Sequence, residues 1–421
     1  MERYRIVVAG GGAAGFFAAL AAAEEKPGPG ILVCEATAHP LAKVRISGGG
    51  RCNVTHACWD PAELVRHYPR GGRELLGPFH RWGPRETVAW FAARGVELKA
   101  EPDGRMFPVT DDSATIVDCL RRSAGAAGVT VRTRCGVQAA RPGFTVDLTT
   151  RETVACERLL LATGGARGGF EIARQLGHEI VPPVPSLFTF HVADPRLAGL
   201  AGVSVADAAV SVPEAGLRER GPLLITHEGL SGPAILRFSA WGARALHDRG
   251  YRFGLAVNWV APRPAEEAEA ECEHGAREHP RRQLATWNPF GLPQRLWERL
   301  AVAAGLRPAD GWGGLTKAGR QALVRQLVGA EFTVTGKSLF KEEFVTCGGV
   351  RLREVDFRTM ESRLCPGLHF AGEVLDIDGV TGGFNFQSAW TTGWLAGRAM
   401  GGGDAGAPRA AGIAPGRESG L

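Results

Sequence analysis

The sequence contains no CxxC pair and no other cysteine or histidine arrangement with metal-ligand spacing. Its nine cysteines are an odd number, so a reduced, cytoplasmic setting is expected instead of a disulfide framework. It also lacks an uninterrupted apolar run that could cross a membrane, since the uncharged stretch 6–23 has a glycine turn at its centre and no cleavage-site pattern. We therefore expect no metal site and no membrane partner.

Strong charge of either sign is missing as well. The net charge is +5 and the sequence pI is near 8.8. The basic residues are spread along the chain and carry no RNA-binding motif. If the partner is RNA, the basic residues of 70–81 (RGGRELLGPFHR) and Arg277, Arg281 and Arg282 are the candidates for its surface.

Glycine, in contrast, is abundant. The chain has 58 glycines, which cluster in short loops, as expected where backbone must approach a ligand closely. The hydrophobic share of 44% and the charged share of 22% are ordinary for a globular protein, and 421 residues suffice for two or three domains.

The pattern of apolar residues divides the chain. Strands and helices alternate in the first half, which favours an α/β fold with a mostly parallel sheet. Expected strands are 5–9, 30–35, 129–133 and 158–162, with a hairpin in 136–149, and expected helices follow Gly12 and cover 84–94 and 112–126. From about residue 186, short alternating runs suit an antiparallel β domain.

These patterns give domain boundaries. We expect a sheet domain of 1–186 and 346–400, an inserted β domain of 187–262 and 332–345, and a helical subdomain of 263–331. Residues 401–421 are rich in Gly, Ala and Pro, which predicts a disordered tail.

The segment IVVAGGGAAGFFAAL, near the start of the chain, is typical of a strand, a GxGxxG turn and a helix start. Gly10 allows the tight turn, Gly12 lets backbone approach a pyrophosphate, and Gly15 lets the helix pack closely on the strand. Twenty residues after Gly15, Glu35 is placed to bind ribose hydroxyls. A carboxylate there would repel a 2′-phosphate, so FAD or NAD is expected and NADP is not.

A second glycine turn lies at the other end of the chain, in GLHFAGEVLDIDGVTGGFNFQ. Glu373 follows a strand and can accept hydrogen bonds from ribitol hydroxyls, while Asp376 and Asp378 shape the loop. Gly382 and Gly383 open a helix whose positive end favours negative charge on a reduced flavin ring. Two anion-binding helix starts indicate one long ligand, and FAD fits better than a mononucleotide.

The segment KVRISGGGRCNVTH, residues 43–56, has too many glycines and polar groups for a helix. We expect a loop whose amides, with Ser47, Arg51 and Asn53, suit a phosphate, ribitol or flavin edge. The alternative is a mobile surface loop. Cys52 is a candidate redox or acid group, with a small buried cysteine as the alternative.

Two further segments bear on the chemistry. LLLATGGA predicts a buried strand that ends at Thr163 and Gly164 and returns the chain to the cofactor. No second strand with a GxGxxG turn follows it, so a dedicated NAD(P)H domain is not expected.

In THEGLSGPAIL, His227 is the best histidine candidate for proton transfer, and a histidine bonded within the turn is the alternative. A serine hydrolase elbow is not expected, because Pro233 follows the turn and no strand-turn-helix frame is predicted.

Taken together, GGGAAG, KVRISGGGRCNVTH, THEGLSGP, VTCGGVRLREVDFRTMESRLCPGLHFAGEVLDIDG and TGGFNFQSAWTTG resemble the BaiN/RdsA-type NAD(P)/FAD-dependent oxidoreductases, over about residues 3–400. The resemblance implies an α/β fold: a Rossmann-like FAD-binding domain of the glutathione-reductase type, interrupted by an inserted β-barrel-like domain that carries a small helical domain. The candidate cofactor-binding residues are Gly10, Gly12, Ala13, Ala14, Gly15, Glu35, Ala36, Lys43, Arg45, Ser47, Gly48, Gly50, Arg51, Cys52, Asn53, Val137, Thr163, Gly164, Gly372, Glu373, Asp378, Gly382, Gly383, Phe384 and Asn385. The chain departs from the family at Phe384 and Phe386, where Tyr and Leu are frequent, and at His56, where Asn is common.

Proteins resembling this chain are associated with reduction of conjugated C=C bonds in steroid-like acids, oxidation of small amino ketones, and reduction of a uridine in ribosomal RNA. Our leading hypothesis is a reductase in which NADH or NADPH reduces FAD transiently and flavin N5 delivers hydride to an activated C=C bond of a small molecule. His227 is the first candidate for the proton, and Cys52 is the second catalytic candidate. The alternatives are an oxygen-using amine oxidase, an enzyme that reduces uridine in ribosomal RNA, and a non-catalytic flavin sensor. The oligomeric state is left open.

Overall fold

The computed structural model describes residues 1–338 and 345–402. The chain forms two compact units: unit 1 contains Met1–Pro182, Gly348–Ile377 and the residues from Gly382 onward, and unit 2 contains Pro183–Cys347 and Asp378–Thr381. The short segment Asp378–Thr381 belongs to unit 2, although its neighbours on both sides in the sequence belong to unit 1. Beyond Gly402, the tail expected to be disordered lies outside the described residues.

The regular elements are as follows. The helices are α1 (Ala13–Glu25), α2 (Ala42–Gly50), α3 (Pro61–Leu64), α4 (Gly72–Arg81), α5 (Pro84–Ala92), α6 (Ala114–Ala126), α7 (Arg167–Gln175), α8 (Pro233–Trp241), α9 (Ala243–Asp248), α10 (Ala265–Glu278), α11 (Gln294–Ala303), α12 (Lys317–Val328) and α13 (Phe384–Gly401). The strands are β1 (Glu2–Ala9), β2 (Ile31–Cys34), β3 (Thr55–His56), β4 (Leu98–Ala100), β5 (Arg105–Pro108), β6 (Thr130–Arg132), β7 (Val137–Arg141), β8 (Thr145–Leu148), β9 (Thr153–Leu161), β10 (Ile180–Ser186), β11 (Thr189–His191), β12 (Ser204–Val212), β13 (Leu217–Ile225), β14 (Gly229–Ser231), β15 (Phe253–Asn258), β16 (Ala330–Val334), β17 (Gly336–Ser338), β18 (Val345–Val350), β19 (Val355–Asp356), β20 (Glu361–Ser362) and β21 (Leu368–Phe370). Single 3-10 turns lie at Val65–His67, Pro213–Ala215, Trp312–Gly314, Leu352–Glu354 and Gly372–Val374.

Unit 1 is built on a sheet with the order β19-β20-β21-β9-β1-β2-β6, and the hairpin β7-β8 joins it beside β9. The neighbours from β21 to β6 are parallel. In β1, Val7 lies opposite Leu32 of β2 on one side and Leu159 of β9 on the other, and all three are fully buried. Continuous apolar runs of this kind occur where both faces of a parallel sheet are covered by helices. This is the parallel α/β sheet that the alternating pattern predicts.

Helices α1 and α13 pack directly against each other in unit 1. A Cβ on Gly393 would lie 2.6 Å from the carbonyl oxygen of Ala14, and one on Gly397 would lie 2.2 Å from that of Ala18. The contacts advance in the same direction along both helices, so the helices run parallel. Glycine is required at these positions because a side chain would separate the two backbones.

Unit 2 contains a seven-stranded sheet in the order β16-β15-β12-β13-β14-β11-β17, and its neighbouring strands are antiparallel. The predicted antiparallel strands are found here. Its large cluster of buried side chains includes Phe238 and Leu255 as well as Leu296 and Trp297 of α11. The helices of 263–331 therefore share a hydrophobic core with the sheet. No helix in the described ranges is both long enough and apolar enough to cross a membrane.

Candidate functional site

The candidate site of unit 1 lies where four parallel strands end side by side. The backbone pairing continues past the strands: Gly10 N–H donates to the Cys34 carbonyl at 2.9 Å, Ala162 N–H to the Ala9 carbonyl at 2.8 Å, and Ala371 N–H to Leu161 at 3.1 Å. The chain leaves β1, β2, β9 and β21 at this edge through the four motifs expected to bind the cofactor. In open α/β sheets the ligand crevice lies outside the carboxyl ends of the strands.

The first glycine turn has one open position and two closed ones. Gly10 has φ +111°, and a Cβ there would lie 2.3 Å from the Ala162 carbonyl oxygen; a Cβ on Gly15 would lie 2.0 Å from the Gly10 carbonyl oxygen. Gly12, which precedes the first residue of α1, would meet nothing within 4 Å. Of the three glycines, Gly12 alone leaves space beside free helix amides, which is the space that a pyrophosphate would need.

Glu35, which follows β2, is hydrogen-bonded to the first glycine turn. Its Oε2 accepts from Gly11 N–H at 2.9 Å, and its Oε1 accepts from Thr37 N–H at 2.7 Å. Ala36 lies beside Gly136, where a Cβ would approach the Ala36 Cβ to 3.0 Å. Glu35, Ala36 and the neighbouring Val137 thus meet at one end of the strand edge.

The segment after the second strand is partly helical, which corrects the prediction that its composition excludes a helix. One helical turn begins at Ala42, but Ser47 is extended and Gly48 and Gly49 have φ of +59° and +68°. The glycines end the helix because their left-handed conformation is costly for other residues. A Cβ on Gly49 or Gly50 would meet nothing within 4 Å, so their backbone is open to a ligand, as expected of the loop.

The polar side chains of residues 43–56 differ in their exposure and in their bonding partners. Arg45 is exposed, and the Ser47 hydroxyl donates to the Val44 carbonyl at 3.0 Å. Arg51 pairs with Glu101 at 2.6 Å and covers the Phe107 ring at 3.9 Å. The guanidinium of Arg51 therefore holds the segment against the small sheet β3-β5-β4.

Cys52 is fully buried at φ +62°. Burial raises the pKa of its thiol to about 12, although a hydrogen bond with Ser47 acts in the opposite direction. The thiol is therefore neutral at physiological pH, and thiolate chemistry is disfavoured. The geometry agrees with the alternative of a small buried cysteine.

Lys43 and Glu373 join the second-strand segment to the C-terminal motif. Lys43 Nζ lies 2.7 Å from Glu373 Oε2. Gly164 lies beside the same carboxylate: a Cβ there would be 3.7 Å from Glu373 Oε2. Three segments distant in the sequence thus converge on Glu373.

The start of α13 is tied to the segment that follows the three glycines. The Asn53 side-chain oxygen accepts from Gly383 N–H at 3.0 Å, and its amide nitrogen donates to the Thr55 carbonyl at 3.0 Å. The Thr55 hydroxyl donates to Gln387 Oε1 at 2.6 Å, and both side chains are fully buried. Trp390 Nε1 adds a bond to the Val54 carbonyl at 2.9 Å.

Aromatic rings surround the first residue of α13. The Phe384 ring is buried and lies nearly parallel to the rings of His67 and His56, with centroid distances of 4.2 Å and 4.7 Å. The Tyr68 hydroxyl donates to the Phe384 carbonyl at 2.6 Å, and burial raises the pKa of Tyr68 well above its ordinary value. Phe386 stacks on Trp390 at 5.7 Å. Phe384 therefore contributes to packing, not to an open ring surface.

The two helix starts are spaced for a long ligand. Gly393 contacts Ala14, so Phe384 begins α13 about eight residues ahead of the start of α1. At 1.5 Å per residue, this offset is about 12 Å. The free amides of α1 and those of α13 can thus serve two separated parts of one molecule.

The donor set of unit 1 fits FAD. Open backbone at Gly12 is suited to a pyrophosphate, and Glu35 to ribose hydroxyls. The Thr163 hydroxyl is buried without a hydrogen-bond partner among the described residues, so it is available to a ligand. FAD requires polar groups along its whole length, and the strand edge supplies them.

Two of the predicted residues belong to unit 2. Asp378 is fully buried and accepts from the Ser186 hydroxyl at 2.8 Å. His227 is exposed in the loop between β13 and β14. The argument against a hydrolase elbow was wrong in one respect: β14, a turn at Gly232 and α8 do form a strand-turn-helix frame, because proline is favourable at the first position of a helix. The motif still has Pro233 where an elbow has its second glycine.

Sequence reasoning did not identify Thr37, Thr55, Tyr68, Gln387 or His67. No strong sequence pattern marks these residues, because each one contacts a partner that is distant in the sequence or makes only a single local hydrogen bond. Gln387 lies four residues after Gly383 on α13, which is a helical spacing that could have indicated a shared face.

Comparisons with known proteins agree with this geometry. The model of the HI0933-like protein Rossmann domain matches residues 4–399. The chain is 34% identical over 379 residues to the ribosomal RNA dihydrouridine synthase of Escherichia coli, covering 86% of this chain and 90% of the relative. It is 30% identical over 392 residues to the 3-dehydro-bile acid delta(4,6)-reductase of Clostridium scindens, covering 88% and 92%.

Solved structures share the fold at low sequence identity. The 3-ketosteroid-delta4-(5alpha)-dehydrogenase of Rhodococcus jostii matches with a TM-score of 0.52 at 16% identity, covering 95% of this chain and 97% of that one. A flavocytochrome c3 fumarate reductase matches with a TM-score of 0.51 at 16% identity, covering 95% and 78%. The chain belongs to the HI0933-like family of FAD-dependent oxidoreductases, and the predicted family and Rossmann-type fold are confirmed.

Proposed function

We propose that this member of the HI0933-like family reduces a C=C bond conjugated to a carbonyl group, with FAD as cofactor and NADH or NADPH as electron donor. The observation that carries the proposal is the strand edge of unit 1, where the open turn at Gly12 and the turn at Gly383 begin two parallel helices whose starts are offset by about 12 Å along the helix axis. The relatives support the reaction class. One is named for reducing a dehydro-bile acid, and dihydrouridine differs from uridine by two hydrogens across a bond conjugated to a carbonyl.

FAD, when bound, supplies hydride transfer to and from carbon. The role of the protein residues is to bind FAD and to orient it. Amides at the start of α1 would hold the pyrophosphate, Glu35 the adenosine ribose, and Glu373 with Lys43 the ribitol region. The remaining residues proposed to bind the cofactor are those of the candidate set in unit 1.

Asn53 and the start of α13 would orient the flavin end. Gly383 N–H is held by Asn53, and the buried Thr55–Gln387 bond keeps that segment against α13. A helix N-terminus stabilises nearby negative charge by about 0.3–1 kcal/mol when exposed and up to about 2 kcal/mol when partly buried. The helix start would thus favour the reduced, anionic form of the flavin modestly.

His227 remains the proposed proton donor. It is exposed on a loop, as a group that exchanges protons with solvent and substrate must be. Cys52 is a poor candidate, because burial raises the pKa of its thiol to about 12.

Reduction of uridine in ribosomal RNA is the second candidate. It is favoured by the 34% identity to the Escherichia coli enzyme along nearly the whole length of both chains. Two of the basic residues proposed for RNA, Arg281 and Arg282, are exposed, whereas Arg277 pairs with Glu278 at 2.8 Å. In the basic segment 70–81, the Arg81 side chain donates to the Arg358 carbonyl at 2.6 Å, so this side chain already has a partner within the protein.

The test is anaerobic mixing of the FAD-loaded protein with NADH and with NADPH, followed by addition of a 3-oxo-4,6-diene bile acid or of unmodified ribosomal RNA. The proposal predicts loss of the oxidised flavin absorbance with one nicotinamide, and its return only with a substrate that gains two hydrogens. The outcome that would overturn it is a flavin that neither nicotinamide reduces, or one that a small amine reduces with steady peroxide release in air. Gly12→Ala, which is expected not to bind FAD, serves as the control without bound flavin.

A further inference from the structure

His56, His67 and Phe384, which we call the ring cluster, lie in unit 1 at the start of α13. The His67 and His56 rings make angles of 13° and 18° with the Phe384 ring, and the two imidazole centroids are 6.0 Å apart.

The single hydrogen bond of the His56 ring indicates which of its two nitrogens carries a proton in the neutral form. Its Nε2 lies 3.1 Å from the Asp103 carbonyl oxygen, which only accepts, so this nitrogen carries the proton. Its Nδ1 is buried and has no partner among the described residues. A second proton on Nδ1 would therefore be a buried charged donor without an acceptor, which is strongly unfavourable.

The ring cluster supports the second glycine turn. A Cβ on Gly382 would lie 2.9 Å from the Phe384 ring and 3.5 Å from His56 Cδ2. The next residue, Gly383, donates to Asn53 at 3.0 Å. The turn that opens α13 therefore lies directly beside the His56 and Phe384 rings, with no room for a side chain between them.

We infer that His56 is a positioning residue that makes FAD retention depend on pH: neutral His56 holds the Gly382–Gly383 turn for the cofactor, and protonated His56 releases it. This inference rests on the proposed FAD site. The cofactor is bound most tightly where the imidazole is neutral and is lost as the solution becomes acidic.

The groups around His56 set the direction of the effect. Burial lowers the pKa of His56, and the positive charge of Arg105 acts in the same direction. The Asp103 carbonyl and carboxylate oppose this shift but do not reverse it. His67, on the other side of the cluster, adds repulsion when it is protonated too, whereas the Tyr68 hydroxyl stays neutral. The neutral form of His56 is thus the one that the folded cluster selects.

The experiment is the dissociation constant of FAD, measured by flavin fluorescence from pH 8 to pH 5 in the wild type, His56→Asn, His67→Asn and His80→Asn. His80 is exposed on α4 and serves as a matched control. We expect the wild-type and His80→Asn constants to rise by up to about tenfold per pH unit below the pKa, as required for one linked proton. The His56→Asn constant should change less than about twofold, because asparagine does not titrate in this range.

Each outcome decides the inference. A wild-type constant that is independent of pH, or a pH dependence that persists in His56→Asn, overturns it and leaves the FAD site intact. A pH dependence abolished by His67→Asn and not by His56→Asn overturns it as well. Failure of the wild type to bind FAD at pH 8 overturns both this inference and the proposed function. Far-ultraviolet circular dichroism of each variant at pH 5 separates loss of FAD from unfolding.

Discussion

Lys43 and Glu373 are 330 residues apart in the sequence and form an ion pair of 2.7 Å. Their side chains are 52% and 21% exposed, so the pair itself contributes only about 0–1 kcal/mol to stability. Its importance is geometric, because it joins the segment after the second strand to the motif after the last parallel strand.

The first prediction separates the two members of this pair. Glu373→Gln should weaken FAD binding by about tenfold, or about 1.4 kcal/mol, because the carboxylate is the stronger acceptor for a ribitol hydroxyl. Lys43→Gln should have a smaller effect, since it leaves that acceptor in place. Titration of the apoprotein with FAD measures both. Equal losses in the two variants would indicate that the ion pair, and not the carboxylate alone, is required.

The second prediction compares two glycines of the same motif. Gly12→Ala should leave the unfolding free energy of the apoprotein within about 1 kcal/mol of the wild type, because the added methyl group meets open space. It should nevertheless abolish FAD binding. Gly15→Ala should destabilise the apoprotein by several kcal/mol, since its Cβ would lie 2.0 Å from the Gly10 carbonyl oxygen. Urea unfolding and FAD titration give the two readouts, and a Gly12→Ala protein that binds FAD normally would argue against a pyrophosphate there.

The third prediction concerns Cys52. Burial raises the pKa of the Cys52 thiol to about 12 and disfavours a thiolate near neutral pH, so Cys52→Ala should keep the turnover number and its pH profile within about twofold. The substitution removes a buried sulfur and should cost about 1 kcal/mol of stability. Steady-state rates from pH 6 to pH 10 check the first point. If the wild-type rate depends on pH in a way that the Cys52→Ala rate does not, the thiol takes part in the reaction and the prediction is wrong.

The fourth prediction is an acid sensitivity of folding that arises at His369. This side chain is fully buried, and burial lowers the pKa of His369 to about 4. The unfolded chain has a pKa near 6.5, so it binds the proton first as the pH falls. The stability contributed by neutral His369 is complete above about pH 6.5 and is lost at about 1.4 kcal/mol per unit down to about pH 4.

Urea unfolding at pH 7.5 and pH 5 tests this linkage in the wild type and in His369→Gln. The wild type should lose more free energy of unfolding on acidification than the variant, and the difference isolates His369 from the other histidines. Equal losses in both proteins would show that His369 does not carry the effect.

Much of unit 1 could be predicted from local pattern. The first glycine turn, Glu35 and the expected parallel strands follow from strong periodicity and from glycines with specific conformational needs. Some boundaries are close, for example 30–35 expected against Ile31–Cys34 found, whereas the strand expected at 158–162 spans Thr153–Leu161. The helical turn from Ala42 was missed because composition was averaged over a segment in which only the second half is glycine-rich.

The contacts that assemble the site could not be predicted from spacing. The bonds from Asn53 to Gly383 and from Thr55 to Gln387 join residues more than 300 positions apart, and no local signal specifies them. The role of Arg51 is a similar case, because its partner Glu101 lies in the turn between β4 and β5, two strands of a small antiparallel sheet that the apolar pattern did not indicate. Long-range polar pairing depends on the folded backbone, which periodicity does not define.

An experimental structure of the chain with FAD tests the central claim most directly. The account predicts the pyrophosphate against the amides of Gly12 and Ala13, the adenosine ribose on Glu35, and the flavin ring beside Asn53 and Gly383. A dinucleotide bound elsewhere, or one whose flavin end points away from Gly383, would contradict the claim that the two glycine turns hold one molecule of FAD.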